Sequence, residues 1–285
     1  MSTAPGGGAW RVGVIGDPVA HSLSPEFQQP AFDALGIAAL FERWPTPAAA
    51  LPERIASLRA ADTLGACVTV PHKVAVMPMV DEVTDLARRA GAVNTVVNRG
   101  GRLLGDNTDV HGFGASLAGV CADLPSRPTV VLGAGGAARA VVLALEAAGV
   151  PTITVANRDP DRAERLASDV AVRHLGLSGN DDETLRRLLP GARLLVNCTS
   201  LGWRAGETPL PLDLLELLPD DAIVADLTYR PTDLLLAAGD RGLPTLDGLG
   251  MLVHQGAKQF ALWTGRPAPI SVMEQAAIAA REGRG

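Results

Sequence analysis

Gly133-Ala134-Gly135-Gly136-Ala137-Ala138 stands between a short apolar run, Thr129-Val130-Val131-Leu132, and an Ala-rich stretch with helical spacing. This is the GxGxxA form of the dinucleotide fingerprint, and its chemistry is anion binding. Gly133 allows the tight turn, Gly135 lets backbone N–H groups approach a pyrophosphate, Ala138 permits close helix–strand packing, and the helix N-terminus attracts the charge. Gly133, Ala134, Gly135, Gly136 and Ala137 are therefore candidate cofactor-binding positions. The plainer reading, glycines that only shape a turn, must treat strand, spacing and helix as coincidence. At the end of the next strand, where an enzyme using NAD carries Asp or Glu for the ribose 2′-OH, stand Asn157 and Arg158, with Arg162 one helical turn further on. A guanidinium offers planar, charge-assisted donors to a 2′-phosphate that a carboxylate would repel, so NADP(H) is the expected cofactor. The competing reading puts Arg158 and Arg162 on a solvated helix face, paired with Asp159, Asp161 and Glu164.

Three further segments carry polar residues where a plain core strand would not. Ser22-Leu23-Ser24-Pro25 presents two hydroxyls, Thr69-Val70-Pro71-His72-Lys73 places Lys73 just past a strand end, and Gly105-Asp106-Asn107-Thr108-Asp109 is a polar tract before a helix. Each also has a structural explanation. The serines could cap a helix that starts at Pro25, Lys73 could be a surface lysine, and Asp106 or Asp109 could cap the following helix.

The elements that must position these residues alternate. Apolar runs at Val12–Gly16, Gly65–Val70 and Ala92–Val97 read as strands, with helical patterns at Pro25–Leu35 and Leu51–Arg59 between them. A second series follows: strands at Thr129–Leu132, Thr152–Ala156, Leu194–Asn197 and Ala222–Asp226, an Ala-rich helix running to Gly149, then helices at Leu249–Trp263 and Ser271–Arg281. The expected fold is α/β, with an N-terminal α/β domain, a Rossmann-type nucleotide domain and a cleft between them. The expected boundaries are 1–108 for the first domain, 109–245 for the second, and 246–285 for C-terminal helices that return to the first. The 285 residues suit two cores better than one. Met1 to Ala9 reads as a frayed tail, with no apolar run suited to a signal or a membrane span.

Composition narrows the partners. Net charge is −6, and Lys and Arg are scattered rather than gathered into a stripe, so nucleic acid is not expected. Cys67, Cys121 and Cys198 are odd in number and far apart, which predicts no disulfide framework and no metal site, and fits a reduced, cytoplasmic setting. A small-molecule substrate, and a monomer or homodimer, complete the expectation.

Taken in order, the polar segments resemble the shikimate dehydrogenase family, whose pattern is SxS, VTVPxK, AVNT, DNTD, GAGGAxR, NR, a strand ending NxTSxG, and DGLGML followed by Gln. Here these are Ser22/Ser24, Val68–Lys73, Ala92–Thr95, Asp106–Asp109, Gly133–Arg139, Asn157/Arg158, Asn197–Gly202 and Asp247–Leu252 with Gln255. The resemblance runs from the first strand to the last helices. It implies NADPH-dependent, reversible reduction of 3-dehydroshikimate to shikimate in aromatic amino-acid biosynthesis, with the N-terminal domain binding substrate. It assigns Lys73 and Asp109 to a catalytic pair: an ammonium stabilises the oxygen on which negative charge develops and gives it a proton, and the carboxylate positions the lysine. It assigns Ser22 and Ser24 to the substrate carboxylate and Thr69, Asn94, Tyr229 and Gln255 to its carboxylate or ring hydroxyls. Thr199, Gly248 and Met251 fall to the cofactor.

This chain departs from the pattern at Cys67, where Asn is usual, at Asp159, where Thr commonly follows NR, at Asp233, and at Val110-His111. A carboxylate at Asp159 would weaken the NADP preference unless it turned outward or paired with Arg162. His72 and His254 read as packing or rim residues. The rival functions are a quinate/shikimate dehydrogenase with relaxed NAD(P) use, against which Arg158 argues, and a non-catalytic NADP-binding regulator, which has no reason to keep the lysine, aspartate and hydroxyls in register.

Overall fold

A computed structural model describes residues 3–121, 127–170 and 175–283. The chain divides into two compact units, one of residues 1–112 with 253–285 and one of residues 113–252. The breaks fall a few residues beyond the expected 108 and 245. They lie inside helices, and a continuous helix carries no change of composition to mark a boundary.

The first unit begins β1 (Trp10–Gly16), α1 (Ser24–Ala34), β2 (Ala39–Pro45), α2 (Leu51–Ser57) and β3 (Thr63–Val68). It continues through β4 (Glu82–Val83), α3 (Asp85–Ala90), β5 (Thr95–Arg99), β6 (Arg102–Asp106) and the start of α4 (Asp109–Ala118). The sheet order is β2-β1-β3-β5-β6-β4. β1 lies between β2 and β3, parallel to both, and is apolar because it is covered on both faces. β5 runs antiparallel to β3 and to β6. Its hairpin turns on Gly100 and Gly101, both at positive φ (62° and 92°), as a two-residue turn between paired Arg99 and Arg102 requires. Ile15, Trp44, Ile55, Val68, Val96 and Leu103 form the core beneath α2. Phe32 of α1 meets Phe260 at a ring-centroid distance of 4.8 Å, which joins the end of the chain to its beginning.

The expected terminal fray is partly ordered, since the Ala4 and Gly8 backbones hydrogen-bond at 2.9 Å and Ala4 is buried. Met1 and Ser2 lie outside the described residues. α1 is not capped by a serine side chain: its N-cap is Leu23, and Pro25 in the first turn supplies the start signal.

The second unit holds β7 (Thr129–Leu132), α5 (Gly136–Ala147), β8 (Ile153–Ala156), α6 (Pro160–Val170), β9 (Leu175–Ser178) and α7 (Asp182–Leu188). β10 (Leu194–Asn197), β11 (Ile223–Asp226), α8 (Asp233–Asp240) and β12 (Thr245–Leu246) follow. α9 (Gly248–Thr264) crosses the boundary in sequence, and α10 (Ile270–Glu282) belongs to the first unit. Every pairing is parallel, in the order β12-β11-β10-β7-β8-β9. Four-residue strands of Val, Leu and Ile suit such a sheet, whose inner strands are buried on both sides.

All three cysteines are buried, and Cys67 and Cys198 carry free thiols. Burial pushes the Cys67 thiol up to about 12, a contact with Ser24 opposing it, and burial together with the Asp226 charge raises Cys198. The nucleophile in thiol exchange is the thiolate. Native protein at pH 8 is therefore expected to leave Cys67 and Cys198 unreacted with an aromatic disulfide reagent over minutes, and to react at both once denatured. Rapid native labelling at Cys67, located by peptide mapping, would contradict this.

Candidate active site

β3 ends at Val68, two residues before the expected end, because the chain must leave the sheet to deliver Lys73. The His72 N–H donates to the Thr69 carbonyl at 2.9 Å, and the buried His72 ring nitrogen Nε2 lies 2.6 Å from the Thr46 carbonyl. His72 thus pins the turn from beneath. The segment 92–94, read from sequence as strand, is a loop for a related reason. Its Val93 N–H donates to the Lys73 carbonyl at 2.8 Å and its Asn94 N–H to the Asp106 carbonyl at 3.1 Å, so it laces the lysine turn to the end of β6.

Lys73 Nζ donates to Asp109 Oδ2 at 2.7 Å, with the side chains 30% and 14% exposed. Asp109 is the first residue of α4, where a carboxylate is favoured by the helix dipole, and its N–H donates to Asn107 Oδ1 at 3.1 Å. Its other oxygen, Oδ1, accepts from Asn94 Nδ2 at 2.8 Å. Asp106 faces away from this pair: it accepts from the Thr84 hydroxyl at 2.6 Å, and Thr84 caps α3. Both acids were alternatives for the cap of the next helix; Asp109 opens that helix and also meets the lysine.

The structure places Ser22, Ser24, Thr69, Asn94 and Gln255 in the same unit as the Lys73–Asp109 pair, although Gln255 comes from the far end of the chain. Ser22 Oγ donates to Ser24 Oγ at 3.2 Å, and Arg43 holds the Ser22 carbonyl at 3.0 Å while pairing with Glu26. Gln255 Oε1 lies 3.5 Å from Thr108 Oγ1 and from Asn94 Nδ2. Thr69 stands against Gly16, where a β-carbon would come within 2.6 Å of its methyl group. Tyr229 belongs to the second unit, edge-on to Trp203 at 5.1 Å.

In the second unit the Gly-rich loop leaves β7 and opens α5, as the spacing predicts. Gly133 (φ 99°) sits against Thr199, whose methyl group would lie 3.1 Å from a β-carbon there. A β-carbon at Gly135 or Gly136 would meet no protein atom within 4 Å, and 135–137 are exposed, with Ala134 half-buried. The fold's own packing therefore does not require glycine at 135 and 136, whereas close approach of a pyrophosphate to the backbone does, so these residues fit a dinucleotide. Arg158 is exposed and unpaired among the described residues. Arg162 Nε lies 3.5 Å from Asp159 Oδ2, side chains 68% and 50% exposed, and Asn157 Nδ2 donates to the Asp159 carbonyl at 2.7 Å. The solvated-face reading thus describes Arg162, and Asp159 is turned toward it instead of toward Arg158. Gly248 has a structural reason as well, because a β-carbon would fall 2.0 Å from the Leu227 carbonyl. Met251 is half-buried.

The sequence reading missed a buried carboxylate at the ends of the central strands. Asp226 accepts from Asn197 Nδ2 (3.0 Å), the Thr228 N–H (2.9 Å) and the Thr232 hydroxyl (3.1 Å). Asn197 in turn accepts from the Thr199 hydroxyl at 2.7 Å, so this cluster sets the loops that follow β10 and β11. The available signal was a polar residue closing each of two buried apolar strands. Among the described residues no group of three or more His, Cys, Asp or Glu is placed to hold a metal, and no helix is long and apolar enough to cross a membrane.

An all-parallel six-stranded sheet with this loop, together with an α/β unit carrying a Lys–Asp pair, defines a two-domain α/β protein of the Rossmann dinucleotide-binding class. Family models match three stretches: the shikimate dehydrogenase substrate binding domain over residues 14–96, shikimate / quinate 5-dehydrogenase over 117–200, and the shikimate 5′-dehydrogenase C-terminal domain over 248–278. The chain is 47% identical over 279 residues to the shikimate dehydrogenase (NADP(+)) of Symbiobacterium thermophilum, covering 96% of this chain and 95% of that one. The shikimate 5-dehydrogenase of Thermus thermophilus, solved in complex with NADP(H) and shikimate, superposes with TM-score 0.85 at 43% identity, over 95% of this chain and 99% of that one. The quinate dehydrogenase of Corynebacterium glutamicum, solved in complex with NAD, gives TM-score 0.86 at 31% identity, over 95% and 99%. The chain belongs to the shikimate dehydrogenase family.

Proposed function

We propose that this chain is a cytoplasmic enzyme that reversibly reduces 3-dehydroshikimate to shikimate with NADPH. The observation that carries the reading is the 2.7 Å contact between Lys73 Nζ and Asp109 Oδ2, in the unit that matches the family's substrate-binding domain. NADPH, when bound at residues 133–137 and Arg158, supplies the hydride. Lys73 meets the oxygen on which negative charge develops and delivers a proton to it, while Asp109 holds the amine in line. Ser22 and Ser24 receive the substrate carboxylate through hydroxyl and backbone donors, which gives directional recognition without an arginine fork. Thr69, Asn94, Gln255 and Tyr229 contact the remaining carboxylate or ring hydroxyl positions; Thr199, Gly248 and Met251 line the cofactor.

The second reading, oxidation of quinate with NAD, is favoured by the likeness to the Corynebacterium quinate dehydrogenase. The unpaired Arg158 opposes it, because a guanidinium at that position serves a 2′-phosphate that NAD lacks. Mixing the enzyme with 3-dehydroshikimate and NADPH should oxidise one equivalent of coenzyme for each shikimate formed, with the product identified by mass and chromatography. Coenzyme loss without shikimate would sink the proposal.

A further inference from the structure

We propose that Asp226 is a positioning residue for the dinucleotide: its buried carboxylate ties the loops after β10 and β11 and the start of α9 into one frame, which sets the affinity for NADP and NAD alike. The inference rests on the reading given above, in which Thr199 and Gly248 line the cofactor, and it concerns what holds them there. All the residues of the frame lie in the second unit. Asp226, Asn197, Thr228 and Thr232 are each at most 3% exposed, so water cannot replace a bond lost among them. No Lys or Arg pairs with Asp226 among the described residues, and its two oxygens depend on three neutral donors.

Each donor comes from a different segment. Oδ2 accepts from Asn197 Nδ2 at the end of β10 and from the Thr232 hydroxyl before α8, and Oδ1 accepts from the Thr228 N–H after β11. Asn197 carries the hold into its own loop. Its Nδ2 also donates to the Leu201 carbonyl at 3.0 Å, while its Oδ1 accepts from the N–H and the hydroxyl of Thr199 at 3.0 and 2.7 Å. The Thr199 hydroxyl in turn accepts from the Leu201 N–H at 3.1 Å. The loop closes over the carboxylate at Gly202 (φ 112°), where a β-carbon would lie 3.5 Å from Asp226 Oδ2 and 3.1 Å from the Thr232 methyl group. Thr228 carries the hold the other way, because its carbonyl accepts from the Gly248 N–H at 3.1 Å, at the first residue of α9. Buried polar networks with every bond made specify one arrangement, and this one fixes Thr199 against Gly133 on one side and Gly248 on the other.

Asp226→Asn keeps the shape, but its NH2 group must face a donor, either the Thr228 N–H or Asn197 Nδ2. Titrated with NADPH and with NADH, and followed by the fluorescence of the reduced nicotinamide, Asp226→Asn should raise both Kd values by about tenfold, the scale of one hydrogen bond to a charged group. The equal factor separates it from Arg158→Ala, which should weaken NADP alone. Thr232→Val removes the hydroxyl from Oδ2 and should raise both Kd values by about threefold. Thr232→Ser keeps that hydroxyl and should restore them. A role in the fold alone would lower the Tm of these variants and leave the affinity of the folded protein as it was. Unchanged Kd values in Asp226→Asn or, should that not fold, in Thr232→Val, equal weakening in Thr232→Val and Thr232→Ser, or a loss confined to NADPH would overturn the inference. Wild-type protein titrated beside them separates this from failure of the functional reading: a wild type that binds neither dinucleotide refutes the latter, and one that binds leaves the comparison decisive.

Discussion

Lys73→Ala is expected to lower kcat by about 10²–10⁴-fold, the usual worth of a positioned general acid, while the KM for NADP changes little. The reason is that the lysine's partner is charge that exists on the reacting oxygen only as hydride arrives, so its removal costs the transition state more than the bound complex. Asp109→Asn keeps the shape and removes the charge that meets Nζ at 2.7 Å, so it too should damage turnover. It also sets an NH2 donor against a donor, Asn94 Nδ2 or Lys73 Nζ, because both carboxylate oxygens of Asp109 accept. The double variant should be little worse than Lys73→Ala alone, since both residues act on one oxygen through one contact. Initial rates and single-turnover rates for the three variants, with calorimetric binding of NADP, make the comparison. A Lys73→Ala enzyme with near-normal kcat and only a raised KM for shikimate would make the lysine a binding residue, and proton transfer would pass to Asp109 or to water.

Arg158→Ala is expected to raise the KM for NADP by about 10- to 150-fold, corresponding to ~1.5–3 kcal/mol for a charge-assisted contact, and to leave the KM for NAD nearly unchanged. Among the described residues Arg158 has no protein partner to release, whereas Arg162 already faces Asp159 at 3.5 Å. That pair is exposed, is of the kind worth less than about 1 kcal/mol, and can part when a phosphate competes. Arg162→Ala should therefore weaken NADP less than Arg158→Ala does. Equal losses for NADP and NAD in Arg158→Ala would mean the arginine shapes the turn after β8 and does not read the 2′ position.

The nucleotide unit was legible from sequence because its signals are local: a four-residue apolar strand, a Gly-rich turn and an Ala-rich helix follow one another within 129–147. The first unit was harder. Gly100-Gly101 is a two-residue hairpin signal, yet β6 was absorbed into the polar tract before Asp109, and Ala92–Asn94 passed for strand because nothing local marks a loop laced to Lys73. Lys73, Asp109 and their order along the chain could be read; the partners of Asn94 could not. Those bonds link residues 161 or more positions apart in the case of Gln255 and Gln259, and long-range polar pairing leaves no periodicity in one sequence. Asp226 was missed for a different reason, since its partners lie 2, 6 and 29 positions away and only the fold shows that the three donors converge on it.

The central claim, an NADP-dependent enzyme for shikimate, is tested most directly by four initial rates: shikimate and quinate, each with NADP and with NAD, on one preparation. The account predicts the highest kcat/KM for shikimate with NADP, a fall of at least about tenfold when NAD replaces it, as loss of one charged contact implies, and little turnover of quinate with either coenzyme. A higher kcat/KM for quinate with NAD than for shikimate with NADP would contradict it.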